Sequence, residues 1–253
     1  MQNQLSHEQW AQFEQEGYLR LGKVVSDDQL HALQQRIDDI MLGTAPVDYD
    51  KIMMQLDRIP GETDAPGPQT KGHKGATLRY RKMQNLEVDP LFLNYLCHPL
   101  FQNICARTYG IDKSIACFRA MFMNKPAGEG TRLVWHQDRW SYLDRDPLIT
   151  IWTALDPATI DNGCVYVLPQ AHHTLINPDH VSGFFNDEQE KAVDNNEKAV
   201  PLEMDAGEAV LLHNHLPHSS GVNRTDGPRR AFSVCYMDAA TVDHHGNVYT
   251  VVM

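Results

Sequence analysis

The 253-residue chain lacks several features that would assign it to a familiar class. Its five cysteines are an odd number and include no Cys-x-x-Cys pair, which argues against a disulfide framework and predicts reduced thiols in the cytoplasm. No apolar run approaches the roughly 20 residues of a membrane-spanning helix. The N-terminus has no basic segment followed by an apolar one, so no secretion signal is expected.

Positive charge is also scarce. The 22 Lys and Arg residues face 33 Asp and Glu residues, and the formal net charge is −11. Because affinity for nucleic acids comes mostly from cations that neutralise phosphates, no nucleic-acid partner is expected. Hydrophobic residues make up 42% of the chain, enough to build a sizeable core. A small-molecule partner is therefore expected, and the oligomeric state stays open.

Two capping boxes predict helices near the N-terminus, each ended by a glycine. The boxes and their glycines are Ser6, Gln9 and Gly17 in the first helix, and Ser26, Gln29 and Gly43 in the second. A strand is predicted at 18–25, and a third helix at 89–110 that Pro99 breaks or kinks. The intervening segment 43–76 is rich in Gly, Pro and Asp and predicts an irregular loop. This loop is either a lid over the site or an ordinary surface loop.

Beyond Ser114 the pattern changes to short strands separated by turn residues. Strands are predicted near 115–124, 132–138, 148–156, 163–168, 208–213 and 230–237, with a polar excursion at 171–200 that contains a short helix near 187–193. The expected fold is α+β, a double-stranded β-helix (jelly roll, cupin-like) with N-terminal helices packed on its outside. One domain is expected over 1–253, mainly helix and loop over 1–110 and jelly-roll core over 111–240.

The residue pair with the clearest chemistry is His136 and Asp138. Residues two apart on a strand face the same side, so both side chains can reach one metal ion. Two histidines and one carboxylate on one face of the metal are typical of non-haem Fe(II) oxygenases. On these grounds alone, three downstream histidines compete for the third position: His213, His215 and His218.

With its other motifs, the chain resembles the phytanoyl-CoA dioxygenase family of Fe(II)/2-oxoglutarate oxygenases, over nearly its whole length. The matching motifs are Met121-Phe122-Met123-Asn124-Lys125-Pro126, His136-Gln137-Asp138, Trp152-Thr153-Ala154-Leu155, Asn162-Gly163-Cys164, Leu168-Pro169, Gly207-Glu208, His213, His218-Ser219-Ser220-Gly221 with Asn223, and Arg229. Segments 43–76 and 171–200 match least. These motifs are specific for the family and unspecific for the substrate.

The resemblance implies that His218 completes the iron site with His136 and Asp138, while His213 and His215 are not ligands. It implies that Arg229, 11 residues after His218, binds the distal carboxylate of 2-oxoglutarate, whereas Arg230 faces the opposite side. Further positions align with the 2-oxoglutarate pocket of the family: Lys82, Met121, Gln137, Trp152 and Ser220. By default these five side chains would have ordinary core or surface roles.

The activity that the resemblance implies consumes O2 and 2-oxoglutarate and releases succinate and CO2 while a substrate is hydroxylated or otherwise oxidised. Because Asp138 is retained, oxygenation is favoured over halogenation. The preferred substrate is a small metabolite or natural-product intermediate. The alternatives are a cupin-like metal-binding isomerase or binding protein without oxygenase activity, and a zinc hydrolase. Arg139, Trp140 and Tyr142 either border the substrate space or pack on the outer sheet.

Overall fold

The computed structural model describes residues 3–58, 66–194 and 196–253. The first two helices, α1 (His7–Glu16) and α2 (Asp27–Leu42), begin and end where their caps predict. Ser6 and Ser26 form both predicted capping boxes, and the closing glycines have left-handed φ angles of 78° and 79°. Between the helices lies the predicted strand, β1 (Tyr18–Lys23). Local capping chemistry therefore fixes the start of the fold.

The third predicted helix is two helices, α3 (Pro90–Leu96) and α4 (Pro99–Tyr109). Each begins on a proline, which has no N–H to donate and suits the first helical position. The side chain of Asp89 caps α3 by accepting a hydrogen bond from the Leu91 backbone N–H at 2.8 Å. The predicted break at Pro99 is confirmed.

The described part of 43–76 is more regular than predicted. It contains β2 (Met53–Leu56) and β3 (Thr70–Lys71), and an unpredicted strand, β4 (Tyr80–Gln84), follows. Residues 59–65 of the predicted loop lie outside the described residues. Strand β2 pairs with both β3 and β4, and β4 pairs with the core of the sheet, so their stability comes from partners that are distant in sequence.

The rest of the chain is mainly strand, close to the predicted positions. Its elements are β5 (Ile115–Lys125), β6 (Leu133–His136), β7 (Ile149–Ala154), β8 (Val165–Val167), α5 (Asp187–Asp194), β9 (Val200–Leu202), β10 (Glu208–His213), β11 (His218–Ser220), β12 (Arg229–Asp238) and β13 (Thr250–Val251). The three short strands β9, β11 and β13 were not predicted. The predicted helix in the 171–200 excursion is present as α5.

The strands form two antiparallel sheets. Over the described residues, the larger has the order β1-β10-β7-β12-β5-β4-β2-β3 with β13 on β5, and the smaller has the order β6-β11-β8-β9. Helices α1 to α4 contribute to the core on one face of the larger sheet, where helix residues such as Leu33, Ile37 and Phe92 join sheet residues such as Phe232. A second cluster, including Trp152, Val167 and Leu212, lies between the two sheets. The predicted α+β jelly roll with helices outside it is confirmed.

All five cysteines are free thiols, and four of them are buried. Among the helices of the described ranges, none is long and apolar enough to cross a membrane.

The main core cluster combines residues from both 1–110 and 111–240. The single domain over 1–253 stays a prediction.

Candidate active site

Three potential metal ligands meet where the smaller sheet borders the space between the sheets. His136 ends β6 and His218 begins β11, and these two residues are paired in the antiparallel ladder. The Oδ1 atom of Asp138 lies 3.8 Å from His136 Nε2, and its Oδ2 atom lies 3.9 Å from His218 Nε2. All three donor atoms lie within 4.8 Å of one another, a spacing that one metal ion can bridge. The structure therefore brings together the predicted three and leaves out His213 and His215.

The backbone sets the tautomer of both histidines. His136 Nδ1 donates to the carbonyl of Val134, and His218 Nδ1 donates to the carbonyl of Leu216, each at 2.9 Å. Since a carbonyl only accepts, each Nδ1 carries the proton and each Nε2 keeps its lone pair for a metal. Burial, with a smaller contribution from His218, lowers the pKa of His136 to about 4. The site thus presents the Nε2 atoms of two imidazoles and one carboxylate toward a single point.

Further contacts hold these ligands in place. The ring of Phe184 stacks on His136 with centroids 4.8 Å apart and an angle of 17° between planes. The backbone N–H of Asp138 donates to the carbonyl of Asn214 at 2.7 Å. A cavity of about 320 Å³ opens beside the three ligands, and both sheets contribute to its walls. The donor set and the open cavity suit Fe(II) with room for further ligands.

Gln137 is not part of the cavity wall. Its side-chain amide donates to the carbonyls of Thr174 and His215 at 2.9 and 2.7 Å and accepts from the Ile176 N–H at 2.7 Å. The predicted contact of Gln137 with 2-oxoglutarate is therefore not supported by its position. The physical reason is strand alternation, which sends residue 137 to the side opposite its two neighbours. Gln137 instead anchors the segment 171–185 beside the site.

Arg229, the first residue of β12, is a buried cation in the cavity wall, 3% exposed. Its Nη2 donates to the Gly163 carbonyl at 3.2 Å, whereas its Nε has no hydrogen-bond partner among the described residues. Burial lowers the pKa of Arg229 to about 10, so the guanidinium remains charged near neutral pH. It forms no ion pair within the described ranges. A buried cation without an acidic partner is suited to an anionic ligand.

Arg230 behaves in the opposite way, as strand alternation predicts. Its Nη2 lies 2.8 Å from Asp156 Oδ1, and its Nη1 lies 2.6 Å from Asp38 Oδ1. These acidic groups raise the pKa of Arg230. The positive charge of Arg230 is therefore balanced by these two carboxylates. Arg229 is the arginine of this pair that faces the cavity.

The other predicted pocket residues, Lys82, Met121, Trp152 and Ser220, do line the cavity. Burial lowers the pKa of Lys82 to about 8, assisted by the nearby Arg119 and Arg81. Three cationic lining residues were missed by the sequence reasoning: Arg81, Arg119 and Lys125. For Arg119 and Lys125 a signal existed, because both share the face of Met121 on β5 by the two-residue period of a strand.

Residues around the site divide between cavity and exterior. Trp140 lines the cavity, whereas Tyr142 stacks on His245 with centroids 4.6 Å apart. Arg139 donates to the carbonyl of Pro178. His213 lies at the cavity, and His215 pairs with Asp146 at 3.2 Å. None of the described residues of 43–76 lines the cavity, so the lid hypothesis finds no support there.

Fold and site together define a class of protein. A jelly roll with two histidines and a carboxylate beside a cavity is typical of non-haem Fe(II) oxygenases. The chain belongs to the phytanoyl-CoA dioxygenase family, because a model described as "Phytanoyl-CoA dioxygenase (PhyH)" matches residues 13–231. It is a 2-oxoglutarate-dependent dioxygenase, with iron as metal and 2-oxoglutarate as cosubstrate. A cupin-like isomerase or binding protein without oxygenase activity is accordingly set aside.

Known proteins resemble the chain over most of its length. A probable phytanoyl-CoA dioxygenase of Caenorhabditis elegans is 29% identical over 244 residues, which cover 92% of this chain and 75% of the relative. The phytanoyl-CoA dioxygenase domain-containing protein 1 of Danio rerio is 26% identical over 93% of this chain and 91% of its own. These relatives cover both the helical and the strand-rich parts.

Solved structures show the same fold at lower identity. EctD from S. alaskensis, with 2-oxoglutarate and 5-hydroxyectoine, has a TM-score of 0.72 at 18% identity, covering 93% of this chain and 77% of its own. The carbocyclase SnoK from nogalamycin biosynthesis has a TM-score of 0.69 at 18% identity, covering 96% and 87%. The likeness confirms the cupin-like jelly roll and leaves the substrate open.

Proposed function

We propose that the protein hydroxylates, or otherwise oxidises, a small metabolite or natural-product intermediate, with release of succinate and CO2 from 2-oxoglutarate. The observation that carries the proposal is the presence, in one cavity, of the three metal ligands and of the unpaired Arg229. When bound, iron and 2-oxoglutarate supply the chemistry that activates O2. The protein's part is to hold them, orient the substrate and exclude water.

Each role follows from a side chain's position. His136, Asp138 and His218 hold the iron through two nitrogens and one oxygen. Arg229 binds the distal carboxylate of 2-oxoglutarate, since a guanidinium can donate two parallel hydrogen bonds to a carboxylate. Trp152 supports that guanidinium from 5.7 Å, measured from Arg229 Cζ to the ring centroid.

Further cavity residues shape the space around the cosubstrate. Met121 and Trp152 contribute apolar walls, and Ser220 contributes a hydroxyl on the strand that carries His218. Lys82 adds a positive charge beside the two carboxylates of the bound 2-oxoglutarate. These four remain proposed contacts of the 2-oxoglutarate pocket, and Gln137 is proposed instead to position the flanking loop through its three hydrogen bonds.

The size of the cavity favours a small substrate. About 320 Å³ is near the lower end of the range of ligand pockets, and 2-oxoglutarate must occupy part of it. The bulky coenzyme part of an acyl-CoA would have to remain outside. Retention of Asp138 as a ligand favours oxygenation over halogenation. A carbocyclase and an epimerase are among the similar structures, so reactions other than hydroxylation are compatible with this fold.

Cytoplasmic location remains a prediction that the free thiols favour. A relative from Bos taurus, 26% identical over 94% of this chain and 70% of its own, is named as a peroxisomal phytanoyl-CoA dioxygenase.

The test is an anaerobic titration of the protein with Fe(II) and then 2-oxoglutarate. Wild-type protein should bind both and show the weak visible charge-transfer band of the chelate, whereas Asp138→Ala and His218→Ala should not. The matched control is His215→Ala, which removes a nearby histidine that lies outside the metal site. A protein that binds iron without 2-oxoglutarate would instead favour the binding-protein alternative, and binding of neither would contradict the proposal.

A further inference from the structure

The cavity is strongly cationic although the chain as a whole is acidic. Its walls contain five Lys and Arg side chains and one carboxylate, which belongs to the metal ligand Asp138. The cations are Arg81, Lys82, Arg119, Lys125 and Arg229. In a protein of net charge −11 such a cluster is local, and it focuses a positive potential into an enclosed space. One cosubstrate carboxylate bound to Arg229 leaves the cations of the cavity wall in excess of its acidic groups.

Two of the cations mark opposite ends of the cavity. In the ladder between β5 and β12, Lys125 pairs with Arg229, and Arg119 pairs with Cys235. Residues 119 and 125 share one face of β5 and are six residues apart, which corresponds to about 20 Å along a strand. Arg229 with Lys125 therefore forms one cationic end, and Arg119 lies at the other.

The metal site is connected to the Arg119 end. Asn214 accepts from the Asp138 N–H at 2.7 Å through its carbonyl and from the Thr150 hydroxyl at 2.7 Å through its side chain. The Asn214 amide also lies 3.2 Å from Cys235 Sγ. Thr150 and Cys235 are paired with each other, and Cys235 is paired with Arg119. Asp138 is thus connected through Asn214 to the strand positions that neighbour Arg119.

2-Oxoglutarate is too short to bind the cations at both ends of the cavity. Its four C–C bonds of about 1.5 Å span at most about 6 Å. A molecule that chelates the iron and reaches Arg229 extends away from Arg119. The Arg229 end also contains a built-in counter-charge, because the buried Asp57, which accepts from Thr131 at 3.2 Å, acts electrostatically on both Lys125 and Arg81. Among the described residues that line the cavity, the opposite end has no acid besides the metal ligand Asp138.

Arg119 is held in a prepared position. Its Cζ lies 4.7 Å from the Trp140 ring centroid and 5.1 Å from that of Phe118. Arg119 also forms a side-chain hydrogen bond with Tyr142. Aromatic faces stabilise a guanidinium and leave its remaining N–H groups able to donate in its plane. Within the part of the chain that the structure describes, Arg119 forms no ion pair, and neither does Lys82. The two are near enough that Arg119 helps to lower the pKa of Lys82.

We propose that the substrate is a small organic oxyanion, a carboxylate or a phosphate ester, whose charged group binds Arg119. This inference rests on the proposed function and names its substrate class. Binding at Arg119 would hold the carbon chain of the substrate beside the metal and on the side away from Arg229. Specificity then follows from charge, because a neutral analogue would leave the buried cations unpaired.

The test uses wild-type protein loaded anaerobically with Fe(II) and saturating 2-oxoglutarate. Four six-carbon probes that differ only at one end are titrated: hexanoate, hexyl phosphate, hexanol and hexylamine. Binding is read by calorimetry and by the change in the visible band. Since hydrogen bonds to charged groups contribute about 1.5–3 kcal/mol, at least one anion should bind about tenfold or more tightly than hexanol. The better of the two anions distinguishes carboxylate from phosphate.

Variants test whether Arg119 causes the preference for anionic probes. Arg119→Gln should remove the preference for anions and leave 2-oxoglutarate affinity unchanged, whereas Arg119→Lys should keep part of the preference. Arg132→Gln is the matched control, because Arg132 is an exposed arginine paired with Glu190 at 2.7 Å. The proposal is wrong if no probe binds, if hexanol or hexylamine binds as well as the anions, or if Arg119→Gln keeps the preference while iron and 2-oxoglutarate bind normally. Failure of the wild type to bind iron and 2-oxoglutarate would overturn the proposed function as well.

Discussion

The guanidinium carbon of Arg229 lies 5.7 Å from the ring centroid of Trp152, and both side chains face the same cavity. The two residues are almost fully buried, at 3% and 4% exposure. A cation over a tryptophan ring is stabilised by about 2 kcal/mol when both are removed from water. This contact helps the guanidinium to remain in place before its ligand arrives, and a prepared site loses less conformational entropy on binding.

Arg229→Gln should therefore weaken 2-oxoglutarate binding on the order of a hundredfold, because a charge-assisted hydrogen-bonded contact of up to about 3 kcal/mol is lost. Arg229→Lys should give an intermediate affinity, since an ammonium retains the charge without the two-pronged geometry. The measurement is an anaerobic titration of the Fe(II)-loaded protein with 2-oxoglutarate. Unchanged affinity in Arg229→Gln would remove Arg229 from the proposed pocket.

Arg230→Gln is expected to affect stability rather than 2-oxoglutarate affinity. The substitution leaves the carboxylates of Asp156 and Asp38 without their main cation, at a cost on the order of 2 kcal/mol in free energy of unfolding. Urea denaturation of the metal-free protein measures this loss. A large rise in the 2-oxoglutarate requirement of this variant would show that the adjacent arginines had been assigned to the wrong faces.

The parts of the site that could be predicted depend on local periodicity and motif. The same-side relation of His136 and Asp138 follows from the two-residue period of a strand, and the opposite orientations of Arg229 and Arg230 follow from the same rule. The choice of His218 among three histidines needed the family resemblance, because spacing alone left them equal. Caps and prolines located the helices, since those signals act within a few residues.

The parts that escaped prediction depend on pairing between distant segments. Strand β11 has three residues, too few for a periodic pattern, and exists because β6 and β8 flank it. Strand β4, which carries Lys82, likewise depends on its pairing with β2 and β5. Gln137 was placed in the pocket by the family resemblance, although alternation along the predicted strand 132–138 argued for the other side. Arg119 was missed although it shares the face of Met121 on β5, because the cavity that this face lines is formed by strands that are distant in sequence.

Gly183→Ala tests the loop contact beside the metal site. Gly183 has a left-handed φ of 70°, and a Cβ atom there would lie 1.9 Å from the Gln137 carbonyl oxygen. The Gln137 N–H also donates to the Gly183 carbonyl at 3.1 Å, so the chains cannot separate without losing that bond. We expect a loss of stability on the order of 3 kcal/mol and weaker iron binding, since the adjacent Phe184 supports His136.

The matched control for this change is Gly128→Ala. Gly128 has a similar φ of 64°, yet nothing lies within 4 Å of a Cβ atom built on it. It should show only the backbone cost, about 1 kcal/mol, and normal iron binding. Denaturant unfolding and an Fe(II) titration of the two variants separate backbone strain from the steric conflict. Equal effects of the two variants would contradict the proposed contact.

The pH dependence of stability is expected to depend on His213. Burial lowers its pKa from 6.5 to about 3, with help from the neighbouring His172, His215 and His173. Its pKa is lower in the folded state, so the unfolded chain binds the proton more tightly. The stability contributed by neutral His213 is therefore fully present above about pH 6.5 and is lost as the pH falls toward 3.

Comparison of wild type with His213→Gln isolates this contribution from that of other histidines with lowered pKa values, such as His172. One pKa unit corresponds to about 1.4 kcal/mol, so partial exposure of the ring leaves an expected loss of about 1–2 kcal/mol between pH 7 and pH 5 that the variant should not show. Urea denaturation of the metal-free proteins at both values measures it. Any difference already present at pH 7 reports packing, and only the change between the two pH values reports titration. Parallel loss of stability in the two proteins would mean that His213 accepts its proton as readily in the fold as in the unfolded chain.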